Sequence, residues 1–311
     1  MKALSLKGIG SLLKDSFKGF SEDKVAKLGG SLAYFTIFSL GPMLLVIIFL
    51  AGLILGQKAV EGSLYEQINE MVGSSAAQQV QQLIKSAAAS EGGIAAVIGL
   101  VTLFIGATSV FTEIQDSINT IWHLRMKPTN TWRTLLKSRL LSFGIIAGIG
   151  FLLLVSLAAS ALMEGLGKKI SELIPAAGVW FMFLLSYAFT LFLAVFLFAI
   201  IFKVLPAAYI TWREVWPGAI TTAILFMLGR FLISFYISKS DLGSTYGAAG
   251  SLVVLLVWVY YSSLILYFGA EFTKAYVGRF GTGIRPKGYA LLADEQTAAG
   301  KNKHDRRETK S

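Results

Sequence analysis

Five stretches of this chain run for 21 residues or more without a charged side chain: 28–57, 92–112, 140–163, 173–202 and 242–270. A helix needs about 20 apolar residues to cross a hydrocarbon layer about 30 Å thick, so each stretch is long enough for one crossing. A sixth stretch, 215–238, carries a single charge, Arg230. Backbone groups in lipid must be hydrogen-bonded within their own segment or within a closed barrel. Barrel strands would alternate polar and apolar residues over about ten positions, and 181–202 shows no such alternation. The expected fold is an all-α, polytopic membrane bundle of six transmembrane helices. The spans fall at about 28–57, 92–118, 140–163, 175–203, 215–238 and 245–276.

Composition agrees with a lipid-facing surface. Charged residues make up 15% of the chain, against about 25% in soluble domains. The chain contains no cysteine, which excludes a disulfide framework and thiolate metal sites. The first apolar stretch is longer than the 7–15 residues of a signal-peptide core, so it reads as an anchor retained in the membrane.

The net charge of +10 is explained by topology. Of the 28 Lys and Arg residues, 22 lie on the side of the N-terminus if the six spans are threaded in order, and five lie on the other. Basic residues concentrate on cytoplasmic segments, so both termini are expected inside. That accounting also removes the argument for nucleic-acid binding. The expected location is the bacterial inner membrane, as a multi-pass protein.

Outside the spans, residues 1–27 form a basic arm. Leu6, Ile9, Leu13, Phe17 and Phe20 recur at helical spacing among Lys7, Lys14 and Lys18, the pattern of a helix lying on anionic headgroups. Residues 59–90 repeat that spacing around a break at Gly73-Ser74-Ser75, predicting two amphipathic helices in the first external loop. The tail, 283–311, is polar and basic and is expected to be disordered. Pro42 is expected to kink the first span, while Pro206 and Pro217 bracket a short turn.

Polar residues inside the spans carry the functional argument. Thr102, Gly106, Ser109, Glu113, Asp116, Thr120 and His123 follow in steps of three and four, which places them on one helical face. Small and polar residues on one face mark helix contacts or a wet cavity. Arg230 lies 15 residues from Val215, or about 22 Å along a helix. Intramembrane charges are functional-site candidates, and Arg230 is expected to face inward and meet an anion or a polar helix. Glu271 sits at the same expected depth as Glu113, so the two carboxylates are expected to face each other across the inner mouth. The plainer alternatives are helix packing, and charges reaching out to water.

Several short motifs resemble those of the YihY/BrkB family of bacterial inner-membrane proteins, once called ribonuclease BN. They are Ser31-Leu32-Ala33-Tyr34-Phe35 with Ser39-Leu40-Gly41-Pro42, Asn119-Thr120-Ile121-Trp122, Pro217-Gly218-Ala219, Tyr246-Gly247-Ala248-Ala249-Gly250, Trp258-Val259-Tyr260 and Gly269-Ala270-Glu271. The resemblance covers about residues 10–280 and implies a six-span fold and a transport role, with movement of lipid or envelope precursors as the proposed link. Metal-dependent RNA cleavage needs clustered His and carboxylate ligands, whereas His123 and His304 are the only histidines.

The leading functional expectation is a transporter of a lipid-like or anionic substrate. No phosphate-binding Gly-x-x-x-x-Gly-Lys-Ser/Thr loop is present to drive it with ATP. Substrate-path candidates are Arg230, Glu113, Asp116, Glu271, Ser109, Asn119 and Tyr260. No catalytic residue, metal or cofactor is expected. Partners are membrane lipids, with anionic headgroups at the N-terminal arm. The alternative reading is a non-transporting scaffold or assembly partner, and a membrane enzyme ranks third. The sequence leaves the oligomeric state open.

Overall fold

The computed structural model describes residues 6–39, 94–127, 144, 148, 175–239 and 250–293. The external helices expected at 59–90, Pro42 and the tail after 293 lie outside the described residues, as does the third span at 140–163 apart from 144 and 148.

Six helices carry the described fold. Helix α1 is Leu6–Glu22. Helix α2 covers residues 25–39 of the described chain. Helices α3 (Ile94–Ile121), α4 (Pro175–Val204), α5 (Trp212–Lys239) and α6 (Gly250–Phe280) follow. Among the described residues, α4, α5 and α6 hold stretches long and apolar enough to cross a membrane. Helix α4 has 30 residues, which is about 45 Å of helix. Helix α6 is central: it packs against α1, α3, α4 and α5, while α4 also packs on α5.

The start of α5 explains why the helix begins earlier than expected. Thr211 and Glu214 form a capping box, with the Glu214 carboxylate accepting from the Thr211 backbone N–H at 2.8 Å and its hydroxyl at 2.7 Å. Pro217 therefore lies inside α5 rather than bounding the turn, and the helix continues past it.

Helices α5 and α6 meet through two matching Gly-x-x-x-Thr segments. Thr222 donates to Gly218 O at 2.6 Å on its own helix, and Thr273 donates to Gly269 O at 2.8 Å. Each threonine then lies over the other helix's glycine, where an added Cβ would overlap its Oγ1. Small residues of this kind let membrane helices approach closely without an apolar driving force.

Two short antiparallel strand pairs qualify the all-α expectation. Strand β1 (Leu124–Met126) pairs with β4 (Ala290–Leu292), and β2 (Ala208–Tyr209) pairs with β3 (Arg285–Pro286). The expected disorder from 283 onward is corrected for 283–293. That segment is held by its strands, by Lys287 N donating to Ala207 O at 2.9 Å, and by Ala293 N donating to His123 O at 2.8 Å. Ala290 is buried in the core and Ile284, Tyr289 and Leu292 pack against it, so side-chain burial holds the segment together with its backbone pairing.

Candidate functional site

Two helix breaks shape the polar end of the bundle. Lys24 (φ 52°) lies between α1 and α2, and His123 (φ 54°) lies just after α3. They are the two non-glycine residues with positive φ among the described residues. Such a conformation is uncommon outside glycine. The breaks bring Asp23, beside Lys24, next to His123.

Helix α6 completes the cluster. Lys274 Nζ lies 2.6 Å from Asp23 Oδ2 and 3.4 Å from Glu271 Oε2. His123 Nε2 lies 3.0 Å from Asp23 Oδ1 and 3.5 Å from Lys274 Nζ. Glu271 is 2% exposed, and its Oε1 has no hydrogen-bond partner. The carboxyl fits because α1 presents Gly19, where a Cβ would overlap Glu271 Oε2. Among the described residues no His, Asp and Glu group is arranged to hold a metal. The Lys274 ammonium already stands between the two carboxylates, where such an ion would sit.

Burial raises the Asp23 carboxyl, but Lys274, Glu271 and His123 outweigh it and hold the group below the ordinary carboxylate value. The sign follows from linkage. A depressed folded-state value contributes stability that is present above the unfolded value of 3.8, and that is lost as pH falls through the lower folded value. Wild type is therefore expected to unfold at a higher temperature than D23N at pH 7. That advantage should shrink only below about pH 4, as measured by thermal unfolding in detergent at both pH values.

A second polar contact set explains the Asn119–Trp122 motif. The Asn119 side chain accepts from Ala207 N at 2.8 Å, and Trp122 Nε1 donates to Ala270 O on α6 at 3.0 Å. Gln115 Nε2 donates to Leu205 O at 2.7 Å. Asn119 is thus a buried joint between α3 and the α4–α5 turn. Nearby, the buried Ser117 and Tyr267 hydroxyls lie beside each other.

The remaining sequence candidates are distributed differently from expectation. Glu113 is half-buried and Asp116 is exposed, and both lie near Tyr267. Glu271 turns to Asp23 and Lys274, so it does not face Glu113 across a mouth. Ser109 is half-buried and donates to Ile105 O at 2.7 Å on its own helix. The whole described stripe from Gly106 to His123 is the less buried side of α3. The reason is that Ile114, Ile118, Ile121 and Trp122 supply the packed side. Tyr260 lies over Gly29 of α2, 3.4 Å from a Cβ placed there. Arg230 does not face inward: its side chain is exposed, between exposed Leu228, Phe231 and Leu232. A buried Arg would need a carboxylate partner, and no described residue supplies one.

Sequence reasoning missed Asp23, Lys274 and Glu214. Asp23 and Lys274 are 251 positions apart, and charges at span boundaries read as topology signals. Glu214 had a local signal in Thr211-x-x-Glu214.

The family model described as Virulence factor BrkB matches residues 16–288. A UPF0761 membrane protein of Haemophilus influenzae (strain 86-028NP) is 28% identical over 275 residues, covering 86% of this chain and 94% of the relative. A UPF0761 membrane protein of Pseudomonas aeruginosa (strain LESB58) is 27% identical over 253 residues, covering 81% of this chain and 59% of the relative. A third, from Verminephrobacter eiseniae (strain EF01-2), is 29% identical over 276 residues, with 86% and 62% covered. The chain therefore spans about three fifths of the length of the latter two relatives. No solved structure matches.

Proposed function

Because the chain belongs to the YihY/BrkB family of membrane proteins, we propose that it is a transporter of an anionic, lipid-like substrate in the bacterial inner membrane. It has six spans, both termini in the cytoplasm, and no ATPase of its own. Helix α1 rests on anionic headgroups, with Leu13 and Phe17 open to the acyl boundary and Lys14 and Lys18 open to the headgroups.

One observation carries the substrate class. Arg230 is exposed on a flank of α5 made of Leu228, Phe231 and Leu232. It lies 18 residues from Trp212, or about 27 Å along the helix. A cation on an apolar, outward flank meets a lipid headgroup whose chains lie alongside the same helix. An enclosed vestibule for a soluble anion would bury the Arg instead. Ser109, Glu113 and Asp116 line the less buried side of α3, where they and Tyr260 of α6 meet the hydroxyl or amine part of the headgroup, while Asn119 fixes α3 against the α4–α5 turn.

The test is movement of a fluorescent anionic phospholipid across vesicles containing the purified protein. The expected result is transfer well above protein-free vesicles, reduced about tenfold in R230A. That corresponds to about 1.4 kcal/mol, within the worth of a hydrogen bond to a charged group. No transfer by wild type, with R230A unchanged in cells, would sink the reading.

A further inference from the structure

We propose that Asp23, His123, Lys274 and Glu271 form a proton-binding site, loaded from water at His123 and holding the proton at Glu271. The charges are uneven around this point. Lys274 and Asp23 form a close pair at 2.6 Å and balance each other. Glu271 is the extra carboxyl, with one oxygen 3.4 Å from Lys274 and the other bare. A buried, half-satisfied carboxylate is costly to keep charged. A proton on Glu271 removes that charge and gives the bare oxygen a hydrogen to donate toward the neighbouring Asp23.

The route is visible in the same contacts. His123 has 51% of its side chain exposed and touches both Asp23 and Lys274. Imidazole takes up and releases protons through its ring nitrogens. A proton taken up by the ring is handed from Nε2 to Asp23 Oδ1, 3.0 Å away, and from Asp23 to the adjacent Glu271, and the cluster gains one positive charge. The groups that meet there are Asp23 from the α1–α2 corner, His123 from the end of α3, and Lys274 and Glu271 from α6. Helix α5 faces the same stretch of α6 with the neutral Thr222.

The site lies where α1 seats on α6, at Gly19, so its charge acts on the contact between the interfacial helix and the bundle. Coupling of this proton to substrate movement rests on the transport reading; the existence of the site does not.

Two measurements separate the claims. The first is carboxyl infrared difference spectroscopy on the purified full chain during a pH titration. The expected result is one protonated carboxyl that appears on acidification, is absent in E271Q and is retained in D15N, which alters an α1 carboxylate paired with Arg279 outside the cluster. An unchanged signal in folded E271Q overturns the site. If E271Q does not fold, D23N and K274M carry the test. Loss of the neighbouring negative charge should move the uptake to lower pH by about one unit, and loss of the positive charge should move it to higher pH. Shifts in one direction, or none, overturn the site. The second is phospholipid transfer in vesicles with an imposed pH gradient. An intact carboxyl signal with no transfer under any gradient rejects transport and leaves the site standing. Transfer indifferent to the gradient overturns the coupling.

Discussion

Gly269→Ala is expected to destabilise the bundle more than any other single methyl addition along α6. The added Cβ would overlap Thr222 Oγ1 and lie 2.9 Å from its Cβ and 3.0 Å from its Cγ2. Thr222 cannot swing away cheaply, because a β-branched side chain has few χ1 positions and its hydroxyl is bonded to Gly218 O. Both backbones would have to separate. Overpacking of this kind costs about 1–3 kcal/mol, and the upper end applies where helix backbone is close behind the clash. The swapped pair G269A/T222G should recover most of the loss, less about 1 kcal/mol for a glycine in a helix. Detergent-to-SDS unfolding of the purified protein measures both. Wild-type stability in G269A would show that the α5–α6 seam opens without cost.

Glu214→Ala should come next in size. One carboxylate accepts four hydrogen bonds, two from Thr211 and two from Thr282, the latter at 2.7 and 3.2 Å. Its loss removes the α5 cap and leaves the Thr282 and Thr211 backbone N–H groups without their partner. A cap is worth about 1 kcal/mol, and a hydrogen bond to a charged group about 1.5–3 kcal/mol. A total near 3 kcal/mol is expected, with faster proteolysis between Phe280 and Ala293. Glu214→Asp, too short to reach both threonines, should fall between the two. An E214A protein with unchanged cleavage in that segment would mean that the strands hold it unaided.

The helices were largely legible because their signal is local. Charge-free runs need only a window of about 20 residues, and Pro175–Val204, Trp212–Lys239 and the described part of α6 overlap the expected spans closely. The polar cluster was not legible in the same way. Glu271 was singled out from its position near a span end, but its partners are Asp23 and Lys274. Only Lys274 is near it in sequence, and a basic residue at that boundary is explained equally well by orientation. The direction of Arg230 was also hidden, because a single charge in an apolar run gives no helical phase of its own. Leu228, Phe231 and Leu232 could not help, since apolar residues occupy lipid-facing and core-facing positions alike. The ordering of 283–293 depended on partners more than 75 residues away, such as Pro286 with Ala208.

The strand pairs β1–β4 and β2–β3 join three separate chain segments: the exit of α3, the turn between α4 and α5, and the exit of α6. Lys287 fastens to Ala207 and Pro206, and Lys127 to Tyr289 and Gly288. The four helices are thus tied together at one end by backbone hydrogen bonds. At that end they can tilt but not part without breaking several such bonds together. It serves as a fulcrum, and any opening of α3, α4, α5 and α6 relative to one another must widen toward the far end, where Arg230 lies.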